Sequence, residues 1–273
     1  MSLVLTPGAP HSTADFDLDP RVLASLWKME ENHFWHAARN RWILHGLAAA
    51  GAPAPASVMD VGCGAGWVTT AMQHHGYQVT GVDTAEPLVR KAHQRCPDAT
   101  FVRGRVEDVP EELGPFDVVA FFDVLEHVDE PLTLVRAALQ HASPRALVAV
   151  TVPALAELFS VVDRLSGHKK RYELGELASL LRACGLVAIE ERGIFRCIGP
   201  LMRLRRTTGR GGYPFGEESR RRILLEDTRI PPFLINEILK VMCEAELKLG
   251  YTSALGKSAP TLFAVGRLPK HPK

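Results

Sequence analysis

Three glycines at alternate positions, Gly62, Gly64 and Gly66, separate an apolar run at 58–61 from a helical pattern at 67–75. Glycine is required where a chain turns with φ above zero, or where a ligand must approach the main chain closely. Strand, glycine turn and helix in that order make the first half of a strand–helix–strand unit, the unit that builds parallel sheets. The alternation continues downstream. Apolar strand candidates occupy 58–61, 78–82, 100–102, 116–121, 146–152 and 186–190, and helix candidates 67–75, 87–95, 131–141 and 174–184 lie between them. Strands that are apolar on both faces need helices on both faces. The prediction is an α/β core over 51–195.

The remainder divides by composition. Residues 1–19 carry Pro, Ser and Asp without periodicity and read as a flexible tail. Residues 20–50 read as two helices with a break near Asn32, closed by Gly51 and two prolines. Residues 196–222 hold eight arginines and only two acids, and a helix with an apolar stripe follows from Pro231-Pro232 to Leu249. Core packing is the expected role of that stripe, with a dimer contact as the alternative. A last strand and tail fill 259–273.

Charge and cysteine usage narrow the class. Lys plus Arg is 32 and Asp plus Glu is 31, so no bulk positive charge recommends a nucleic-acid partner. No run of about 20 apolar residues is present to span a membrane. Five cysteines, none in a Cys-x-x-Cys pair, suggest neither zinc nor a disulfide framework, and the expected compartment is the cytoplasm.

The strand before the glycines carries Asp60, and the next strand ends in Asp83, 23 residues later. A carboxylate at that strand end can accept both hydroxyls of a ribose. The spacing is Gly-x-Gly-x-Gly, not the Gly-x-Gly-x-x-Gly of dinucleotide binders. The stretch Val58-Met-Asp-Val-Gly-Cys-Gly-Ala-Gly-Trp67 resembles the first motif of class I S-adenosylmethionine-dependent methyltransferases. Three further stretches resemble that family's later motifs in order: Gly104-Arg-Val-Glu-Asp-Val-Pro110, Phe116-Asp-Val-Val-Ala-Phe-Phe-Asp-Val-Leu-Glu-His-Val128 and Leu147-Val-Ala-Val-Thr-Val-Pro153. Glu31-Asn-His-Phe-Trp-His-Ala-Ala-Arg-Asn40 and Gly167-His-Lys-Lys-Arg-Tyr172 are similar to segments of a bacterial tailoring subgroup.

The resemblance implies a Rossmann-like sheet of seven strands, mostly parallel with the last antiparallel, and S-adenosylmethionine as cofactor. It implies that Gly62, Cys63 and Gly64 face the methionine part and that Asp60 supports its amino group. Asp83 and Thr84 would hold the ribose, Val106 and Glu107 the adenine, and Phe122 and Asp123 the floor near the sulfonium. Many relatives carry Asp where this chain has Arg105, which shifts the adenine contact to Glu107. Trp35 would belong to a lid, and Arg39, with Arg41 second, would meet the cofactor carboxylate.

Methyl transfer from a sulfonium is an in-line displacement, and a hydroxyl acceptor also needs a base. His127 and His168 are the candidate bases, and Tyr172 would orient the acceptor. Each also has a plainer reading: His127 as a helix cap, the 168–172 stretch as a solvated loop. Asp123, Glu126 and His127 also resemble a magnesium-binding set of some ubiquinone-pathway O-methyltransferases, but the same Leu-Glu-His run occurs in relatives without metal, so no metal is expected. The expected reaction is methylation of a small molecule, most readily at oxygen. The alternatives are cyclisation of the cofactor itself, releasing methylthioadenosine, and a non-catalytic cofactor-binding or membrane-associated protein. Residues 196–258 read as an insertion that caps the acceptor site together with 20–50. Its arginines would meet an acidic acceptor or solvent, with a membrane surface disfavoured. The chain is expected to act as a monomer or homodimer.

Overall fold

The computed structural model describes residues 3–5, 19–207, 216–249 and 258–270. Its strands are β1 (Leu3–Leu5), β2 (Ser57–Val61), β3 (Gln78–Asp83), β4 (Thr100–Arg103), β5 (Phe116–Phe122), β6 (Ala142–Pro153), β7 (Val187–Ile194) and β8 (Thr261–Arg267). They form one sheet in the order β1-β4-β3-β2-β5-β6-β8-β7. The expected seven strands are present, and β8 runs antiparallel between β6 and β7. The eighth strand is a correction. Leu3–Leu5 pairs parallel to β4, at Leu3 with Phe101, where a flexible tail was expected. Three apolar residues are too few to show a period of two. Residues 6–18 of that tail lie outside the described residues.

Alternation along β6 shows how the sheet is covered. Val148, Val150 and Val152 face one core cluster, while Leu147 and Ala149 face the other, and all five are essentially buried. The first face is covered by α5 (Pro131–Ala138) through Val135 and Ala138, and by α7 (Glu176–Ala183) through Leu177 and Leu181. The second is covered by α2 (Phe34–Ala49) through Trp42, Ile43 and Leu47, and by α3 (Trp67–His74) through Val68 and Met72. This is the two-sided cover that parallel strands demand. Short β–α connections place the C-terminal ends of β2, β3 and β5 at one edge, where ligands of open α/β sheets collect.

The N-terminal helices and the insertion are tied together. Asn236 of α10 (Phe233–Leu249) accepts from the Phe34 backbone N–H at 3.0 Å and donates to the Asn32 carbonyl at 2.9 Å, across the break between α1 (Pro20–Asn32) and α2. The Ser25 and Thr228 hydroxyls are 2.6 Å apart, and Arg221 of α9 (Glu217–Asp227) pairs with Asp19. Arginines of the insertion also brace it, one on the core and one within the insertion itself. Arg203 of α8 (Gly199–Thr207) donates to Glu157 at 2.9 Å, and buried Arg196 meets Glu246. Arg210 and its neighbours 208–215 lie outside the described residues.

The apolar stripe of α10 departs from the expected core packing. Leu234, Ile238, Val241 and Leu249 are mostly exposed, and the residues that bury are Asn236 and Cys243. A period of 3.6 says that a helix has two faces; it does not say which one the neighbours cover.

Candidate active site

The cleft begins at the turn between β2 and α3. Gly64 has φ +54°, and a Cβ added there would meet nothing within 4 Å, so the main chain is open to a ligand. Gly66 has φ +75° and caps α3; a Cβ there would stand 2.8 Å from Ala92 Cβ. One glycine keeps a surface bare and the other lets α3 pack on α4 (Glu86–Arg95). Cys63, just before Gly64, is buried and its thiol is pushed well up by burial, as suits a packing residue.

Two carboxylates flank this loop. Asp83, at the end of β3, accepts from the Gly64 and Ala85 backbone N–H groups, each at 2.9 Å. A carboxylate offers about four lone-pair sites, so acceptor capacity remains for the two hydroxyls of a ribose. Thr84 follows it on the exposed rim. Asp60 is fully buried and accepts from the Thr69 hydroxyl at 2.6 Å. Burial raises its pKa to about 6, and the Thr69 hydrogen bond and the Arg39 charge only partly offset this. An ammonium placed against Asp60 would supply the missing countercharge. Bare main chain, a ribose-ready carboxylate and a buried acid short of a cation fit the amino-acid and ribose parts of S-adenosylmethionine.

The opposite wall comes from α2 and β5. Arg39 projects from α2 to Asp123, with which it forms a close ion pair, and its Nε is buried without a hydrogen-bond partner. Asp123 stands just beyond β5 with φ +57° and accepts from the Thr151 hydroxyl at 3.0 Å. Such a conformation is costly for a residue with a side chain and marks a constrained position. Arg41, the second candidate, pairs instead with Glu244 of α10. Trp35 stacks on Phe195 with ring centroids 4.2 Å apart, joining the lid helix to the root of the insertion. Phe122 is buried at the strand end. Val106 is buried in the core at a short 3-10 turn, and Glu107 beside it is exposed on the rim.

Beyond Asp123, a 3-10 turn at Leu125–His127 meets the loop after β6. The Lys169 backbone N–H donates to the Glu126 carbonyl at 2.8 Å, which brings His168 against His127. Their ring centroids are 4.8 Å apart and nearly perpendicular. One ligand atom each of Glu126, His127 and His168 lies within 4.8 Å of the others. Both Glu126 carboxylate oxygens are buried without a hydrogen-bond partner. Burial, with Asp123 nearby, pushes the Glu126 pKa well up, and burial brings His127 down to about 4. Tyr172 is buried, and its hydroxyl donates to the Leu125 carbonyl at 3.1 Å, so it braces the turn that carries Glu126 and His127.

The structure therefore links these residues in a chain: Gly64 bonds Asp83, Arg39 acts on Asp60 and pairs with Asp123, Asp123 acts on His127, and His127 meets His168. Sequence reasoning did not single out Asp163, which contacts His168. The Ser160-x-x-Asp163 spacing of a helix cap was the available signal.

The sequence model of a family described as methyltransferase domain matches residues 34–191. The chain is 29% identical to the ubiquinone biosynthesis O-methyltransferase of Albidiferax ferrireducens over 67% of its length and 82% of the relative's. It is 31% identical to the protein of the same name from Xanthomonas axonopodis over 57% of its length and 76% of that protein's. In fold it resembles phosphoethanolamine N-methyltransferase 2 of Haemonchus contortus, with a TM-score of 0.58 at 18% identity, over 94% of this chain and 59% of that one.

Proposed function

Because the chain belongs to the methyltransferase-domain family and is an S-adenosylmethionine-dependent methyltransferase, we propose that it methylates a hydroxyl oxygen of a small molecule. One observation carries the choice of oxygen: a paired-imidazole cluster, His127 with His168, stands next to the cleft residue Asp123. A hydroxyl is a poor nucleophile at neutral pH and needs its proton removed, a task suited to a neutral imidazole. The names of the two curated relatives support the same acceptor atom.

Bound S-adenosylmethionine supplies an electrophilic methyl on a sulfonium and leaves as a neutral thioether. Asp60 holds the amino group, Arg39 the carboxylate, and Asp83 with Thr84 the ribose. Gly62, Cys63 and Gly64 give their main chain to the methionine part, and Val106 and Glu107 flank the adenine. Phe122 and Asp123 floor the site, and Trp35 closes it. His168 takes the acceptor proton; His127, held neutral by burial, packs against its ring. Helices of 20–50 and the insertion at 196–258 shape the acceptor cap. In this reading the chain works on a small molecule without nucleic acid, in the cytoplasm, as a monomer or homodimer. Among the described residues no helix is long and apolar enough to cross a membrane.

The test is a screen of phenolic and aliphatic hydroxyl compounds with labelled cofactor. Methylation of a hydroxyl, abolished when that oxygen is already capped, is the expected result. Methyl transfer only to amines would overturn the choice of oxygen.

A further inference from the structure

Asp163, at the third position of α6 (Val161–Leu165), is 1% exposed, and all its polar contacts are made. Its Oδ2 accepts from the Ser160 backbone N–H and hydroxyl, both at 2.7 Å. Its Oδ1 accepts from Arg171 Nε at 2.8 Å and Nη2 at 2.6 Å, and stands 3.1 Å from His168 Nδ1. The His168 backbone N–H also donates to the Asp163 carbonyl at 2.8 Å. An ionised carboxylate only accepts, so the ring nitrogen facing it carries the hydrogen. In a neutral imidazole the other nitrogen, Nε2, is then the one with a lone pair.

We propose that Asp163 is a positioning residue that fixes His168 in the Nδ1–H form, leaving Nε2 to take the acceptor's hydroxyl proton. The inference rests on the oxygen-methylation reading above. Arg171, 6% exposed at its side chain, balances the Asp163 charge, so the carboxylate orients the ring without itself becoming the proton sink. Other groups facing His168 are the His127 ring and the Glu126 carboxylate, and Asp123 lies behind them. Burial brings His127 down to about 4, so it stands beside His168 as a neutral ring.

The step balances. The acceptor O–H bond breaks and its proton goes to His168 Nε2. The oxygen electron pair forms the O–CH3 bond, and the C–S pair stays on sulfur. Positive charge moves from sulfonium to imidazolium, and Asp163 is then its counter-ion. His168 keeps 19% of its side chain exposed, which gives the proton a way out to water.

The test is long-range 1H–15N spectroscopy of the full chain with 15N-labelled histidine at neutral pH, the His168 signals being assigned with His168→Gln. The expected wild-type spectrum shows the proton on Nδ1. Asp163→Asn is expected to move it toward Nε2. In the hydroxyl assay, Asp163→Asn is expected to lower kcat about tenfold or more, with the KM for S-adenosylmethionine within about twofold. A wild-type His168 protonated on Nε2 overturns the proposal, whether or not the variant folds. So does a folded Asp163→Asn protein with unchanged tautomer and kcat. If no hydroxyl compound is methylated, the oxygen reading fails, and the wild-type tautomer still decides the Asp163 assignment.

Discussion

The two sides of the cleft are built differently. On the glycine-loop side, Asp60 has Thr69, and Asp83 has two backbone N–H groups. On the other side, both Glu126 carboxylate oxygens are buried with no hydrogen-bond partner. Unpaired buried polar atoms are expensive, and native folds keep few of them. Each glycine-loop carboxylate thus holds hydrogen bonds of the fold before a ligand arrives, whereas the β5 side keeps a buried carboxylate that the fold itself does not use. The first arrangement suits a cofactor common to a whole family. The second suits an acceptor particular to this chain.

The comparison can be broken at either side. The largest effect is expected on the β5 side. His168→Ala should lower kcat by about 10²–10⁴, the range for loss of a general base, while the affinity for S-adenosylhomocysteine stays the same. Titration calorimetry beside initial rates checks both halves. A parallel loss of affinity would mean that His168 serves the cofactor and that the two sides are not separate.

Next comes the glycine loop. Gly66→Ala puts a methyl 2.8 Å from Ala92 Cβ and 3.0 Å from Ala92 Cα, at φ +75°. Overpacking and the left-handed backbone together should cost about 2–5 kcal/mol, read in thermal unfolding. Gly64→Ala meets nothing within 4 Å, so only the backbone penalty of about 1–2 kcal/mol applies. Its methyl should instead weaken cofactor binding. Equal unfolding losses for the two variants would show that Gly64 is no barer than Gly66.

A smaller, graded effect is expected with pH. Burial lifts the Asp60 pKa from 3.8 to about 6. The folded state therefore holds the proton more tightly than the unfolded one, and this group's contribution to stability falls as pH rises between those values. Cofactor affinity should run the other way, rising with pH as Asp60 ionises against the ammonium and levelling off above about 6. Asp60→Asn should flatten that rise. Affinity measured across this window decides; a slope that survives Asp60→Asn would place the titrating group elsewhere.

The smallest effect is expected at the cap. Val241 is 62% exposed on α10, and Val241→Ser should change stability by no more than about 0.5 kcal/mol in denaturant unfolding. A loss of 2 kcal/mol or more (about the cost of opening a core cavity) would return the stripe to a packed interior.

Much of the geometry of the glycine-loop side was legible in the sequence because its parts are local. Asp60, the glycines and Asp83 lie within one strand–helix–strand unit, where φ, capping and strand ends follow from short-range rules. The β5 side was legible only in pieces. His127 and His168 could be named, but their meeting depends on the Lys169 N–H reaching the Glu126 carbonyl, a contact between loops that no periodicity encodes. Arg39 reaching Asp123 is of the same kind. So is the bracing of the arginine run, whose partners Glu157, Glu246 and Asp19 are remote in sequence. The α10 stripe failed for a different reason. Polar Asn236 is the residue that clamps the helix to the α1–α2 break, and apolar patterning gives a polar clamp no weight.

The most direct test incubates the purified protein with S-adenosylmethionine, with and without the hydroxyl panel, and identifies every product by mass spectrometry. The account predicts S-adenosylhomocysteine and an O-methylated compound only when an acceptor is present. Methylthioadenosine formed with no acceptor would contradict it and make the cofactor itself the substrate.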